Sequence, residues 1–349
     1  MQNHFVLYGA NGYTGELIAR LSHEYGLRPL LAGRNAEAIK SLAEELSLDY
    51  EIVGLDNAES LDHLLKRQQL VIHAAGPFSK TAKQMVEACI RNNVHYTDIN
   101  GDISCFELVK TFNQTAIEKN CMLMPGVGFD VVPTDSVAKK ITELFPGVTD
   151  LKLAFASIGS TISHGTATTM AEKLGEGGAR RSNGKIVRMT LGENAMWVDF
   201  GKKNLFVMSI PWGDISTAYH TTGVPNIETF FAVKPSVYKW MKMQKFFNWL
   251  LKLEFVRNSI KKRIDQRPAG PNEKMRKEGK SLVWGKGTNA EGESITVRLS
   301  GPEGYTFTAH ASLIIANEIL KGNWKPGYQT PAGCYGSELV LKVPGVSYH

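Results

Sequence analysis

The chain has 349 residues, 43% of them hydrophobic and 21% charged, with a formal net charge of +6. That length suits two domains, and the composition is that of a soluble globular protein. No apolar run approaches the roughly 18 to 20 residues of a spanning helix. Cys89, Cys105, Cys121 and Cys334 lack zinc or disulfide spacing, so the expectation is a cytoplasmic protein with reduced thiols and no metal site.

The chain opens on an apolar run, Phe5 to Tyr8, then three glycines spaced G-x-x-G-x-x-G at Gly9, Gly12 and Gly15, then a helical pattern from Glu16 to Tyr25. A buried strand, a tight turn and a helix N-terminus form an anion cradle. Glycine lets a diphosphate approach the backbone, and the free N–H groups and helix dipole favour negative charge. Asn11, Tyr13 and Thr14 fill the turn between the glycines. Strands at Arg28 to Arg34, Tyr50 to Val53, Leu70 to Ala75, His95 to Asp98 and Cys121 to Met124 then alternate with helices at Ala36 to Leu46, Ala58 to Arg67, Thr81 to Asn92 and Ile103 to Lys119. Such alternation requires a parallel sheet covered on both faces. With the glycine turn after strand one, it predicts a doubly wound Rossmann domain over 1–130.

The second strand ends in Arg34-Asn35 with no acid. In this fold an acid there bonds the ribose 2′-hydroxyl, whereas arginine suits a 2′-phosphate. The predicted cofactor is therefore NADP(H) over NAD(H). Asp56 is a candidate for the adenine edge and equally a helix N-cap. Ala74, Ala75, Gly76, Pro77 and Phe78 end the fourth strand at the switch-point crevice, where small residues let a cofactor lie against the backbone. Two loops leave the same sheet edge, Tyr96 to Asp102 and Pro125 to Asp135. Asp98, Asn100 and Asp130 in them are candidates for substrate orientation or proton transfer; Asp102 and Asp135 are equally placed to cap helices.

From about Asp150 the pattern changes. A strand at Leu151 to Ser157 and a capped helix entered at Ser163 precede strand-like runs at Ile186 to Met189, Ala195 to Phe200, Leu205 to Ile210, Thr217 to His220 and Ile227 to Val233. Successive strands predict a second, α+β domain over 131–305, built on a mainly antiparallel sheet and serving as substrate and dimerisation layer. His164 is its catalytic candidate, set against the plainer role of a surface histidine.

Between Lys234 and Lys286 fifteen Lys or Arg face four acids, a local surplus of eleven, so the rest of the chain carries a net −5. Basic character this local argues against a nucleic-acid binder. Within it, apolar residues from Val237 to Ile264 recur at helical spacing among lysines. They suit an anionic membrane surface, a greasy substrate or simple packing on a sheet or partner subunit. Arg263 to Lys280 reads as an exposed loop, Ser281 to Gly285 and Ser294 to Ser300 as an antiparallel pair, and Thr306 to Leu320 as a helix stopped by Gly322.

Tyr8 to Gly15, Tyr96 to Asp102 and Gly128 to Asp135 resemble the corresponding blocks of saccharopine dehydrogenase-like (saccharopine reductase-type) proteins, and the nearest branch looks like the trans-acting enoyl reductases. Ser163 to Thr166, Ala269 to Glu273, Gly301 to Tyr305 and Thr330 to Ala332 with Gly336 extend the resemblance nearly to the C-terminus. It implies NADP-dependent reduction, a substrate domain set into the dinucleotide fold, and a segment 306–349 that returns to the first domain. One departure is Asp102, where the resemblance leads one to expect glutamate. Three functions follow: reduction of an activated C=C bond in an acyl or lipid-type substrate, saccharopine-type C=N chemistry using Arg180, Arg181 and Arg188, or a non-catalytic NADP-binding protein at lipid surfaces. A small-molecule substrate and a homodimer complete the expectations.

Overall fold

The structure, a computed structural model, describes residues 5–173, 175–244, 253, 256 and 262–349. It divides into two compact units, one made of 1–132 and 305–344 and the other of 133–304 and 345–349.

The first unit holds β1 (Phe5–Tyr8), α1 (Tyr13–Leu21), β2 (Leu30–Gly33), α2 (Ala36–Leu46), β3 (Tyr50–Ile52), α3 (Ala58–Leu65), β4 (Leu70–His73), α4 (Phe78–Asn92), β5 (His95–Asp98), α5 (Ile103–Thr111), α6 (Asn113–Glu118) and β6 (Met122–Met124). Its strands are all parallel, in the order 6-5-4-1-2-3. That is the doubly wound dinucleotide-binding order, with the switch point between β1 and β4. β1 and β4 are buried at every position, as continuous apolar runs between two helical layers must be. α7 (Val132–Leu144) leads into the second unit.

The second unit contains β7 (Val148–Ile158), α8 (His164–Glu172), β8 (Gly178–Ser182), β9 (Lys185–Met189), β10 (Ala195–Asp199), β11 (Asn204–Ser209), α9 (Asp214–Thr222), β12 (Asn226–Ala232), α10 (Pro235–Gln244), α11 (Glu273–Glu278), β13 (Lys280–Asn289) and β14 (Ser294–Pro302). α12 (Gly304–Leu320), β15 (Gly327–Tyr328), α13 (Pro331–Tyr335) and β16 (Ser347–Tyr348) follow. β15 pairs with β6 and adds a seventh parallel strand to the first sheet. The second sheet runs 10-11-12-7-13-14-16, antiparallel except where β12 meets β7.

This sheet curls until its far edges meet. Arg298 on β14 donates to the Asp199 carbonyl at 2.8 Å and to its carboxylate at 3.1 Å, at the end of β10. Curling explains how Ala154, Ala156, Val198, Val207, Phe230, Leu282 and Trp284, all from strands, bury one another. Outside the curl, α7 packs so tightly on β13 that a Cβ at Gly285 meets Val137 and comes to 2.8 Å from the Ile141 Cδ1.

Two sequence expectations give way. Thr217 to His220, read as a strand from its β-branched residues, is the middle of α9, framed by Gly213 and by Gly223 at φ +73°. Burial of Ile215 and Ala218 outweighs a weak local preference. Arg263 to Lys280 is partly helical: residues 262–265 pack Ile264 on Ala167 and Ala171, and α11 follows. Of the amphipathic stretch Val237 to Ile264, residues 245–252, 254–255 and 257–261 lie outside the described residues. Among the described residues no helix is long and apolar enough to cross a membrane.

Gly285→Ala should lower stability by about 1–3 kcal/mol through overpacking against α7. Chemical denaturation with an unchanged m-value and a lower midpoint would bear this out; an unchanged midpoint would contradict the tight contact.

Candidate cofactor and active site

At the carboxyl edge of the parallel sheet, Gly9 turns the chain out of β1 at φ +83°. A Cβ there would lie 2.7 Å from the Ala75 backbone nitrogen, so β1 and β4 come together only over a glycine. A Cβ at Gly15 would collide with the Gly9 carbonyl oxygen. α1 begins at Tyr13 with Gly12 as its N-cap, a residue with no side chain to cap the first turn, and a helix N-terminus of this kind favours an anion. This cradle, which any Cβ would fill, fits a dinucleotide diphosphate.

Asn11, Arg34, Asn35 and Asp56 are all exposed. The Asn11 carboxamide sits where a Cβ at Gly33 would come to 3.2 Å from its Oδ1, so the glycine turn and the end of β2 adjoin. Arg34 and Asp56 both act electrostatically on Tyr8, whose phenol burial pushes up to about 12. Tyr8 donates to the Val53 carbonyl at 3.0 Å. Asn35 caps α2, accepting from the Ala38 N–H at 3.2 Å. Asn57, not Asp56, caps α3.

At the switch point Ala74, Ala75, Pro77 and Phe78 are partly exposed and Gly76 is exposed. His73, unmarked by the sequence reading, lies directly beneath. Thr81 donates to the Ala75 carbonyl at 2.7 Å, so His73 Nε2, 3.0 Å from the same hydroxyl, is the N–H donor of that pair. Burial pushes the imidazole down to about 3, so the ring is neutral. Its signal was a polar residue closing an otherwise apolar strand beside the switch point.

The two loops beyond β5 and β6 divide their aspartates sharply. Asp98 is fully buried and accepts from the Tyr96 hydroxyl at 2.7 Å, the Asn100 N–H at 3.0 Å and side-chain amide at 2.6 Å, and the Gly126 N–H at 2.9 Å. Burial raises its carboxyl while these donors oppose the rise. Asp98 thereby ties the two loops together. Asn100 passes the network on, its Oδ1 accepting from the Asp102 N–H at 2.7 Å. Asp102 caps α5 through Ser104, a role the short side chain suits. Asp130 instead rests its carboxylate on Gly101, where a Cβ would stand 2.6 Å from its Oδ2. Burial pushes Asp130 up to about 7, which makes it a proton donor and acceptor near neutrality.

Asp98, Asn100 and Asp130 thus converge in the first unit. His164 belongs to the second, where its Nε2 meets Asp265 at 2.8 Å at the start of α8. Asp135, within the first turn of α7, accepts from the Thr221 hydroxyl at 2.5 Å. Arg181 is spent on the Ile215 and Gly184 carbonyls at 2.7 and 2.6 Å and stacks on Tyr219. Arg180 pairs with Val187 and Arg188 with Ala179, so they leave opposite faces of the β8–β9 hairpin. Among the described residues no cluster of His, Cys, Asp and Glu could hold a metal ion.

Gly15→Ala should weaken dinucleotide binding by at least about tenfold, roughly 1.4 kcal/mol, in a calorimetric titration; unchanged affinity would remove the cradle. Asp130 gives a signed pH effect. Its folded-state value of about 7 exceeds the unfolded one near 3.9, so the folded protein keeps a proton the unfolded chain has lost. Stability should therefore fall as pH rises between about 4 and 7, and Asp130→Asn should flatten that slope. Equal slopes for the two proteins would contradict the shift.

The sequence family described as "Saccharopine dehydrogenase NADP binding domain" matches residues 5–140. The mouse "Saccharopine dehydrogenase-like oxidoreductase" is 30% identical over 152 residues, 38% of this chain and 35% of its own. A "Trans-acting enoyl reductase" of Mycobacterium tuberculosis is 28% identical over 138 residues, 37% of this chain and 33% of its own. The chain thus aligns with about a third of the length of these relatives. In overall fold it is similar to the saccharopine dehydrogenase (L-Glu forming) of Saccharomyces cerevisiae, with a TM-score of 0.66 at 11% identity over 99% of both chains. The glycine cradle and Arg34 lie inside residues 5–140, the stretch that matches the saccharopine dehydrogenase NADP-binding domain model, and that match supports NADP as the cofactor.

Proposed function

We propose that the chain is an NADPH-dependent reductase that saturates an activated C=C bond of an acyl or lipid-type substrate. NADPH, when bound, supplies a hydride; the protein must hold the acceptor carbon near it and deliver a proton to the neighbouring carbon. Asp130 is the residue assigned to the proton. The observation that carries this is its carboxyl, pushed to about 7 against Gly101, at the sheet edge where this fold receives the nicotinamide. In this role protonated Asp130 adds its proton across the bond and is recharged from solvent. Asn100 and Asp98 hold the loop that carries Gly101. His164, paired with Asp265, remains a candidate for contact with substrate.

The enoyl-reductase relative favours C=C over C=N chemistry. So does the arginine arrangement, because saccharopine-type substrates carry several carboxylates and the β8–β9 hairpin sends its arginines to different faces. Expected outcomes are NADPH oxidation with enoyl thioesters and none with 2-oxo acid and amine pairs. Turnover confined to the amine pairs would overturn the proposal. Arg34→Glu should cut the preference for NADPH over NADH about 10- to 100-fold, the worth of roughly 1.5–3 kcal/mol for hydrogen bonds to a charged group. An unaltered ratio of dissociation constants would displace Arg34 from the 2′-phosphate.

A peripheral membrane contact through 234–286 and a homodimer belong to the same proposal. The observation favouring the membrane is Trp197, 61% exposed on β10. Its ring meets Phe206 edge-on, and Phe206 meets Tyr238 of the lysine-bearing α10. Trp and Lys together suit an anionic interface. Sedimentation with phosphatidylglycerol vesicles at low salt, lost in Trp197→Ala, is expected; wild-type protein that stays in the supernatant would contradict it.

A further inference from the structure

The matched NADP-binding stretch ends at residue 140, yet α12 enters the same unit from the far end of the chain. Successive turns of this helix touch three parts of the unit. Tyr305 meets Tyr13, the first residue of α1, edge to face at 5.1 Å between ring centroids. One turn later, Thr308 Oγ1 accepts from the Phe129 N–H at 3.0 Å, and Phe307 packs on the Phe129 ring at 5.6 Å. Further on, His310 Nδ1 lies 2.6 Å from the hydroxyl of Tyr25, just beyond α1.

The approach at Thr308 is close enough to dictate sequence. A Cβ at Gly128 would lie 2.8 Å from Thr308 Cγ2, so the turn that presents Asp130 seats on α12 only through a glycine. Val131 and Val132 N–H groups close that turn on the Gly128 carbonyl. Tyr305 and Thr308 stand three residues apart, on one helical face. A single helical turn therefore bridges the glycine cradle, where a diphosphate belongs, and the Gly128–Asp130 turn.

We propose that the start of α12 completes the cofactor site, with Thr308 as a positioning residue that fixes the Gly128–Asp130 turn at the nicotinamide end. This rests on the proposed placing of that turn beside the nicotinamide. Thr308 acts through the Phe129 N–H, and the rings of Tyr305 and Tyr13 hold the other end of the same helical turn against α1. Neither tyrosine nor Thr308 needs to touch a substrate for this, so the test needs none.

The experiment uses the full chain and two probes: NADPH, followed by its nicotinamide fluorescence, and 2′,5′-ADP, which shares the 2′-phosphate end but has no nicotinamide. Thr308→Val keeps the shape and loses the acceptor. It should weaken NADPH binding about fivefold and alter the emission of the bound nicotinamide, the usual worth of one hydrogen bond. Binding of 2′,5′-ADP should stay within about twofold, and Thr308→Ser, which keeps the acceptor, should restore NADPH binding. Wild-type behaviour in Thr308→Val, equal losses for both probes, or no rescue by serine would each overturn the role of Thr308. Asp130→Ala separates the role of Thr308 from the placing of the Gly128–Asp130 turn. If it alters the bound nicotinamide emission and Thr308→Val does not, the positioning role alone fails; if neither alters it, the placing of the turn fails as well.

Discussion

The carboxyl edge of the parallel sheet depends on backbones meeting where no side chain fits. Gly9 touches Ala75, Gly15 touches Gly9, Gly101 carries the Asp130 carboxylate, and Gly128 seats on Thr308. All but the Gly9–Gly15 contact join segments distant in sequence, and each would be pried apart by one methyl group. These contacts run from the start of α1 to the turn bearing Asp130. In the proposed function an extended, multiply charged cofactor lies along this edge, which small residues leave open to it.

Two aspartates of similar sequence setting show how surroundings set chemistry. Asp98 ends β5 and Asp130 follows β6, and both face the same edge. Asp98 is enclosed by Tyr96, Asn100 and Gly126, whose donors occupy its oxygens. Its work is to lock one loop onto the other. Asp130 is raised toward neutrality by burial, against a glycine that leaves its carboxylate room. A carboxyl that titrates near pH 7 exchanges protons readily, whereas one held by four donors does not. His73 belongs with Asp98: neutral and buried, it steadies the switch-point loop through Thr81.

Much of this was legible in the residues. The alternation of apolar runs with helical patterns, the glycine turn and Arg34 sufficed for the doubly wound fold and the phosphorylated cofactor, because those signals are local and repeated. The Gly-Phe-Asp block was visible too, but the division of labour between Asp98 and Asp130 was not. It depends on which donors converge, and Gly126 and Thr308 lie 28 and 178 residues from the aspartates they affect. The β8–β9 hairpin carried a signal that went unread, Asn183-Gly184 with both residues at positive φ. α9 misled because β-branched residues suit strands in general, while Gly213 and Gly223 mark out a helix here. Closure of the second sheet by Arg298 and Asp199, 99 residues apart, has no local signature at all.

The proposed chemistry depends on where the two ends of the cofactor lie. A crystal structure of the full chain with NADP bound tests this most directly. It should show the 2′-phosphate against the Arg34 guanidinium, the diphosphate over the N–H groups that open α1, and the nicotinamide ring beside Gly101 and Asp130. A 2′-phosphate held away from Arg34, or a nicotinamide directed away from the Gly101 and Gly128–Asp130 loops, would contradict it.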